Sequence, residues 1–237
     1  MSHFKFKQFT VWQNHNAMKV CTDACLFGAW AADELSENLK ADNTILDIGT
    51  GTGLLSLLLA QKINAKITAL EINAAAANEA ASNFALAAKE NQIEILNIAL
   101  QNYKPAFLFD AIICNPPFFK QSLKSPDANK NLVLHEDNLP LEYLLHFINE
   151  NLSASGTAFL LLPASRKDEV ETLLKKENLF LNRLVEVHQT PQHAAFRLFL
   201  KISKEEGEMI LEKLIIKSGE EYTEEFVGYL KDYYLYL

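Results

Sequence analysis

A short β-branched run, Thr44-Ile45-Leu46-Asp47-Ile48, stops in the glycine cluster Gly49-Thr50-Gly51-Thr52-Gly53, and an apolar, helix-favouring stretch from Leu54 to Lys62 follows at once. A strand that turns through glycines into a helix opens a βαβ unit, and the rest of the chain keeps that rhythm. Lys66 to Ile72 reads as a second strand, and Asn73 to Lys89 as an Ala-rich helix of high intrinsic propensity. Gln92 to Leu96 reads as a third strand and Phe109 to Cys114 as a fourth, ending at Asn115-Pro116-Pro117-Phe118. Asn138 to Leu152 is helical in pattern, and Gly156-Thr157 opens a fifth strand, Ala158 to Leu162. A charged helix follows from Arg166 to Glu177. Strands that alternate with helices imply a doubly wound, mostly parallel sheet with right-handed crossovers and helices on both faces. Apolar runs such as Ala158 to Leu162 suit strands buried on both sides. After that the rhythm changes. Phe180 to His188 and Ala194 to Ile202, joined by a short polar segment, read as a C-terminal antiparallel hairpin. Residues 205–237 read as helices with a Tyr-rich end whose aromatics pack into the core.

The chain has 237 residues, of which 49% are hydrophobic, enough for one α/β domain with a large core. No repeat or linker divides it, so residues 1–237 are expected to form one domain, with 1–40 an N-terminal extension over a ligand site and 41–237 the α/β core. The longest apolar stretch, Leu54 to Ala60, is too short to span a bilayer, and the N-terminus has no signal-peptide pattern. Cys21, Cys25 and Cys114 are odd in number and stand near no histidine cluster, so reduced cysteines in a cytoplasmic protein are expected. His135, His146, His188 and His193 form no ligand set, and no metal is expected. A net charge of −8 argues weakly against nucleic acid as a partner without excluding it, since phosphate binding wants cations. The cationic groups around Lys5, Lys7 and Lys19, around Lys120, Lys124 and Lys130, and around Arg166, Lys167, Lys175 and Lys176 read as solvated faces.

The glycine cluster has the placement of a cofactor loop, because glycine lets the backbone turn sharply and approach a ligand closely. Glu71 ends the next strand 18 positions after Gly53, and a carboxylate there can accept both hydrogen bonds of a ribose diol. Dinucleotide folds prefer G-x-G-x-x-G, which brings a pyrophosphate to the helix N-terminus. Here the spacing is G-x-G-x-G behind Asp47, with no basic residue nearby, which suits a cofactor with a cationic amino-acid or sulfonium end. In these residues the chain resembles the class I methyltransferases, with a Rossmann-like fold. The resemblance implies S-adenosyl-L-methionine as cofactor, with Asp47, Gly49, Gly51 and Gly53 lining its methionine end and Glu71 holding the ribose. It further implies that Asn97, at the end of the third strand, contacts the adenine.

Asn115-Pro116-Pro117-Phe118 stands at the end of the fourth strand and so opens into the same crevice. An amino group on a planar ring or an amide is a poor nucleophile, since its lone pair is delocalised. The Asn115 side-chain oxygen and the Pro116 carbonyl could accept its two N–H bonds, aim the lone pair and stabilise the developing positive charge. Prolines hold that carbonyl rigidly, and Phe118 would stack on the planar acceptor. Such motifs occur in adenine-N6, guanine-N2 and glutamine methyltransferases. Phe4-Lys5-Phe6-Lys7-Gln8-Phe9, Met18-Lys19-Val20-Cys21-Thr22-Asp23 and Leu26-Phe27-Gly28-Ala29-Trp30 narrow the choice. They resemble the bacterial tRNA (adenine-N6) methyltransferases that act on valine tRNA beside the anticodon, with Cys21 and Cys25 where that family carries small residues. The resemblance spans the whole chain and implies tRNA as partner. A rRNA guanine-N2 methyltransferase and a release-factor glutamine methyltransferase are the alternatives. By the same resemblance Lys19 and Thr22 close over the cofactor. The residues alone equally suit Thr22 and Asp23 as the N-cap of the helix through Leu26 to Ala32.

Overall fold

The computed structural model describes residues 2–14, 19–37, 39–116 and 139–237. Ahead of the glycine cluster lie two short antiparallel strands, His3–Lys5 (β1) and Thr10–Trp12 (β2), and the helix Thr22–Ser36 (α1). The core follows as Thr44–Ile48 (β3), Leu54–Lys62 (α2), Lys66–Glu71 (β4), Ala74–Leu86 (α3), Ile93–Asn97 (β5) and Phe109–Cys114 (β6). Leu141–Asn151 (α4), Leu152–Pro163 (β7), Lys167–Lys176 (α5), Phe180–His188 (β8) and Ala195–Ser203 (β9) complete the expected alternation.

Eight strands form one sheet in the order β5-β4-β3-β6-β7-β9-β8, closed at the far edge by Ile210–Ile215 (β10). Only β9 runs against its neighbours, so the β8–β9 hairpin is antiparallel as expected while β10 joins β8 in parallel. The chain order reverses between β3 and β6: β4 and β5 lie on one side, β6 and β7 on the other. That reversal opens the crevice at the carboxyl ends of the strands in which ligands of such sheets bind.

Each face of the sheet carries its own core. Ile45, Ile67 and Ile113 face α1, α2 and α3, whereas Leu46, Ile48, Ile112 and Cys114 face α4 and α5. This is the alternation of side chains across a strand. Trp30 of α1 meets Phe159 edge-on at 5.4 Å, and Phe27 meets Phe199 at 5.3 Å. A Cβ on Gly28 would stand 2.5 Å from Leu58 Cδ1, so glycine lets α1 close onto α2. The Leu26-to-Trp30 segment is thus a packing element.

Two expectations fail. Residues 205–237 hold the strand β10, the small hairpin Lys217–Ser218 (β11) with Glu221–Tyr222 (β12), and one helix, Glu224–Leu230 (α6). β10 is an edge strand in which Ile210 and Leu211 stay exposed and Leu214 is buried, so it shows no clean alternation. Its Glu, Lys and Leu favour a helix intrinsically, and pairing with β8 overrides them. Second, the N-cap of α1 is Cys21, with no side-chain cap bond. Asp23 instead accepts from Arg197 Nε at 2.6 Å, a tertiary ion pair that holds the start of α1 to β9. In the Tyr-rich end, Tyr233 is fully buried and donates to the Leu58 carbonyl, and Tyr234 packs on Phe4 and Phe6. Tyr236 does not join them and is 90% exposed. No helix among the described residues is long and apolar enough to cross a membrane.

Candidate active site

Strand register sets the site. Ile48 pairs with Leu70 on one side and with Cys114 on the other, and Glu71 pairs with Asn97. Gly49, Glu71, Asn97 and Asn115 therefore stand in one row across four adjacent strand ends, although the sequence spreads them over 67 positions. The Gly49 and Thr50 amides both donate to the Leu70 carbonyl at 2.9 Å, which ties the glycine loop to β4.

Gly49, Gly51 and Gly53 take φ values of 71°, 58° and 83°, a region that side chains with a Cβ avoid. At Gly53 space forbids a Cβ as well: it would lie 2.3 Å from Phe84 Cε1. The loop thus packs its last glycine against α3, and the Gly53 amide donates to the Thr50 carbonyl at 2.9 Å. Beneath it Asp47 is completely buried. Its Oδ2 accepts from Thr50 Oγ1 at 2.6 Å and from Ser56 Oγ at 2.7 Å, while Oδ1 has no hydrogen-bond partner. Burial pushes the Asp47 carboxyl up to about 6, the two hydroxyls hold it back, and the nearby Glu71 charge adds to the rise. Burial also raises the neighbouring Cys114 thiol, helped by the Asp47 charge, so it is no nucleophile.

Glu71 Oε2 accepts from the Gly51 amide and Oε1 from the Asn73 amide, both at 2.9 Å. Each oxygen keeps a further lone pair, and the carboxylate is held between the loop and the start of α3, which Asn73 caps. Asn97 Nδ2 donates to the Glu71 and Ile72 carbonyls at 2.8 and 3.0 Å, so its Oδ1 is left as an acceptor. Asn115 Oδ1 is buried with no partner, and Pro116 beside it is buried. Pro117 and Phe118 lie outside the described residues. Lys19 and Thr22 are exposed, and no hydrogen bond joins either to the glycine loop among the described residues.

Three residues that sequence reasoning passed over build this site. Ser56 was detectable as the one hydroxyl in the apolar run Leu54 to Ala60. Thr50 sits inside the motif, where only the glycines drew notice. Asn83 carried no signal: it is fully buried in α3 and exchanges two hydrogen bonds with the Trp12 backbone while donating to the Thr52 carbonyl at 2.9 Å. Together with Glu79, which accepts from the Asn14 amide, it fastens the N-terminal strands beside the glycine loop.

A buried, partnerless carboxylate oxygen, a glycine cradle and a fixed carboxylate beside an acceptor-only Asn97 fit a ligand with a cationic amino end, a ribose and an adenine. A second buried acceptor, Asn115 Oδ1, awaits an N–H donor. Among the described residues no group of His, Cys, Asp and Glu could hold a metal ion.

Residues 17–139 match the methyltransferase small domain. The chain is 37% identical over 237 residues to a tRNA1(Val) (adenine(37)-N6)-methyltransferase of Bacteroides thetaiotaomicron, covering 99% of this chain and 98% of the other. It is 38% identical over 241 residues to the protein of that name from Cytophaga hutchinsonii, covering 100% and 99%. Among solved structures, a predicted O-methyltransferase from Agrobacterium tumefaciens superposes with a TM-score of 0.63 at 18% identity, covering 89% of this chain and 95% of that one, a likeness of fold.

Proposed function

The chain belongs to the methyltransferase small-domain family and to the family of the tRNA1(Val) (adenine(37)-N6)-methyltransferases, and from that premise we propose that it methylates the exocyclic amino group of the adenine beside the anticodon of valine tRNA. The observation that carries the reading is the buried, partnerless Asn115 Oδ1 at the end of β6, one strand from the glycine loop at the topological switch point. S-adenosyl-L-methionine, when bound, supplies an electrophilic methyl group on a good leaving group, so the reaction needs no metal. Asp47, Gly49, Gly51 and Gly53 would line its amino-acid end, with Glu71 at its ribose, Asn97 Oδ1 at its adenine amino group, and Lys19 and Thr22 closing from the N-terminal side.

Asn115 Oδ1 and the Pro116 carbonyl accept the two N–H bonds of the target amine. That contact localises its lone pair, fixes the direction of attack and stabilises positive charge as the new N–C bond forms. Phe118 supplies the face on which the flipped adenine stacks. The proton becomes acidic once the nitrogen is alkylated, so Asn115 need not act as a base. A tRNA substrate implies work in the cytoplasm. The guanine and glutamine alternatives are set aside because the relatives matched along nearly their whole length bear the adenine-N6 name.

The test is to incubate the protein with labelled S-adenosyl-L-methionine and undermodified bacterial tRNA and to identify the methylated nucleoside. N6-methyladenosine in valine tRNA is expected; label on a protein glutamine, on guanine or on no RNA refutes the reading. Asn115→Ala is expected to lower kcat by about 10²–10³-fold, the usual cost of one preorganised charge-stabilising group, while cofactor affinity measured by calorimetry persists. Full activity in that variant removes Asn115 from its role.

A further inference from the structure

Farther along the same carboxyl edge is a second concavity. The start of α1, the end of β8, the start of β9 and the turn after β10 border an open cavity of about 180 Å³, with Thr22, Asp23, Gln189, Phe196, Lys217 and Tyr222 in its lining. The register puts it on the same edge as the methyl-transfer site and farther out along the strands. β6 pairs with β7, β7 with β9, β9 with β8 and β8 with β10. Asn115 stands level with Phe199, Val185 and Glu212. At roughly 4.8 Å per strand and 3.3 Å per residue, Phe196 lies about 14 Å from Asn115, Gln189 about 20 Å and Lys217 about 25 Å.

The lining is that of a stacking site. Tyr222 is 47% exposed, and the buried Phe226 stacks behind it at 4.5 Å with ring planes 15° apart, so the outer ring is a backed platform. Lys217 Nζ lies 5.1 Å from the Tyr222 ring centre, and the Arg197 guanidinium 5.6 Å from that of Phe196. Arg197 is held there by Asp23, whereas Lys217 makes no ion pair among the described residues. The Gln189 backbone carbonyl accepts from the Lys217 amide at 3.0 Å, which leaves its side-chain carboxamide to face the cavity. Aromatic platforms interleaved with cations and amide groups bind unpaired bases: the ring stacks, the cation meets the phosphate, the amide reads the base edge. A volume below the range of about 300–1,000 Å³ for whole-ligand pockets suits a single base.

We infer that this cavity is a base pocket that receives an unstacked nucleotide of the substrate RNA near the target adenine, stacked on Tyr222, with Lys217 on its phosphate and Gln189 on its edge. The inference rests on the RNA reading above. It explains how a chain of net charge −8 grips an anticodon loop: through a few placed contacts along one edge rather than a broad basic face.

The experiment uses the full chain and an anticodon stem-loop in which loop nucleotides other than the target are made abasic one at a time. Affinity and single-turnover methylation are measured for the wild type, for Gln189→Trp, which fills the cavity, and for Lys217→Ala. One abasic position is expected to weaken wild-type binding about 10-fold, within the range of one stacked base. Gln189→Trp should weaken the intact RNA by a similar factor and show no further loss at that abasic position, with cofactor affinity and single-turnover rate at saturating RNA unchanged. Lys217→Ala should lower the salt slope of binding by about 1. Losses that multiply at every abasic position, or a Gln189→Trp protein that binds intact RNA like the wild type, overturn the pocket while the wild type still methylates adenine. A wild type that methylates no RNA overturns the function itself and the pocket with it.

Discussion

Replacing Asp47 with asparagine should make the ligand-free protein more stable at neutral pH and poorer at holding its cofactor. Asp47 is fully buried and its carboxyl stands at about 6 instead of 3.8, chiefly through burial. A carboxyl raised by that much binds its proton more tightly folded than unfolded. Its contribution to stability is therefore complete below about pH 4 and lost as pH rises through about 6. The loss amounts to about 3 kcal/mol at pH 7.5, at 1.36 kcal/mol for each tenfold change in proton affinity. Asparagine keeps an oxygen for the Thr50 and Ser56 hydroxyls and carries no charge. Urea unfolding of both proteins at pH 4 and pH 7.5 should show nearly equal stabilities at the lower pH and a gain of about 3 kcal/mol for Asp47→Asn at the higher. Calorimetry at pH 7.5 should show cofactor affinity about 10-fold to 100-fold weaker in the variant, the worth of one hydrogen bond to a charged group. A gain that does not change with pH refutes the desolvation argument. An unchanged cofactor affinity refutes the role of the partnerless oxygen.

Gly53→Ala faces both a φ of 83° and the Phe84 ring 2.3 Å away; it should cost about 2–4 kcal/mol in thermal or urea unfolding, and cofactor affinity should fall with it. Asn83→Leu strips partners from the Trp12 backbone and the Thr52 carbonyl, for about 2–4 kcal/mol; hydrogen exchange should show lost protection at residues 10–12 and in the glycine loop, with β8 and β9 unchanged. Glu34 binds both Arg183 and Lys201 and is largely shielded, so Glu34→Ala should destabilise by about 1–3 kcal/mol, less at high salt, without changing the methyl-transfer rate at saturating substrates.

The division of labour between sequence and tertiary structure follows from the range of the forces involved. Strand, glycine turn and helix at Thr44–Lys62 were legible with their exact ends because each rests on local backbone preference: β-branched residues, then positive φ, then helix formers. The same holds for Phe109–Cys114, bounded by its prolines. The glycines, Glu71 and Asn115 were legible as candidates because parallel strands must open their carboxyl ends to one crevice. What the sequence could not supply was anything that depends on a distant partner. Ile210–Ile215 has helical propensity and becomes a strand because β8 offers a free edge. Asp23 leaves the cap of its own helix for Arg197, 174 residues away. Asn83 is an unremarked polar residue on the buried face of an Ala-rich helix until folding brings Trp12 and Thr52 to it. The Leu26-to-Trp30 segment points to a family by pattern, yet its physical role is to fill the core against Phe159, Phe199 and Leu58. Local propensity thus determined the elements and the crevice. Long-range pairing and burial decided the far edge of the sheet, the state of Asp47 and the hold on the glycine loop, because those energies exist only once the partners meet.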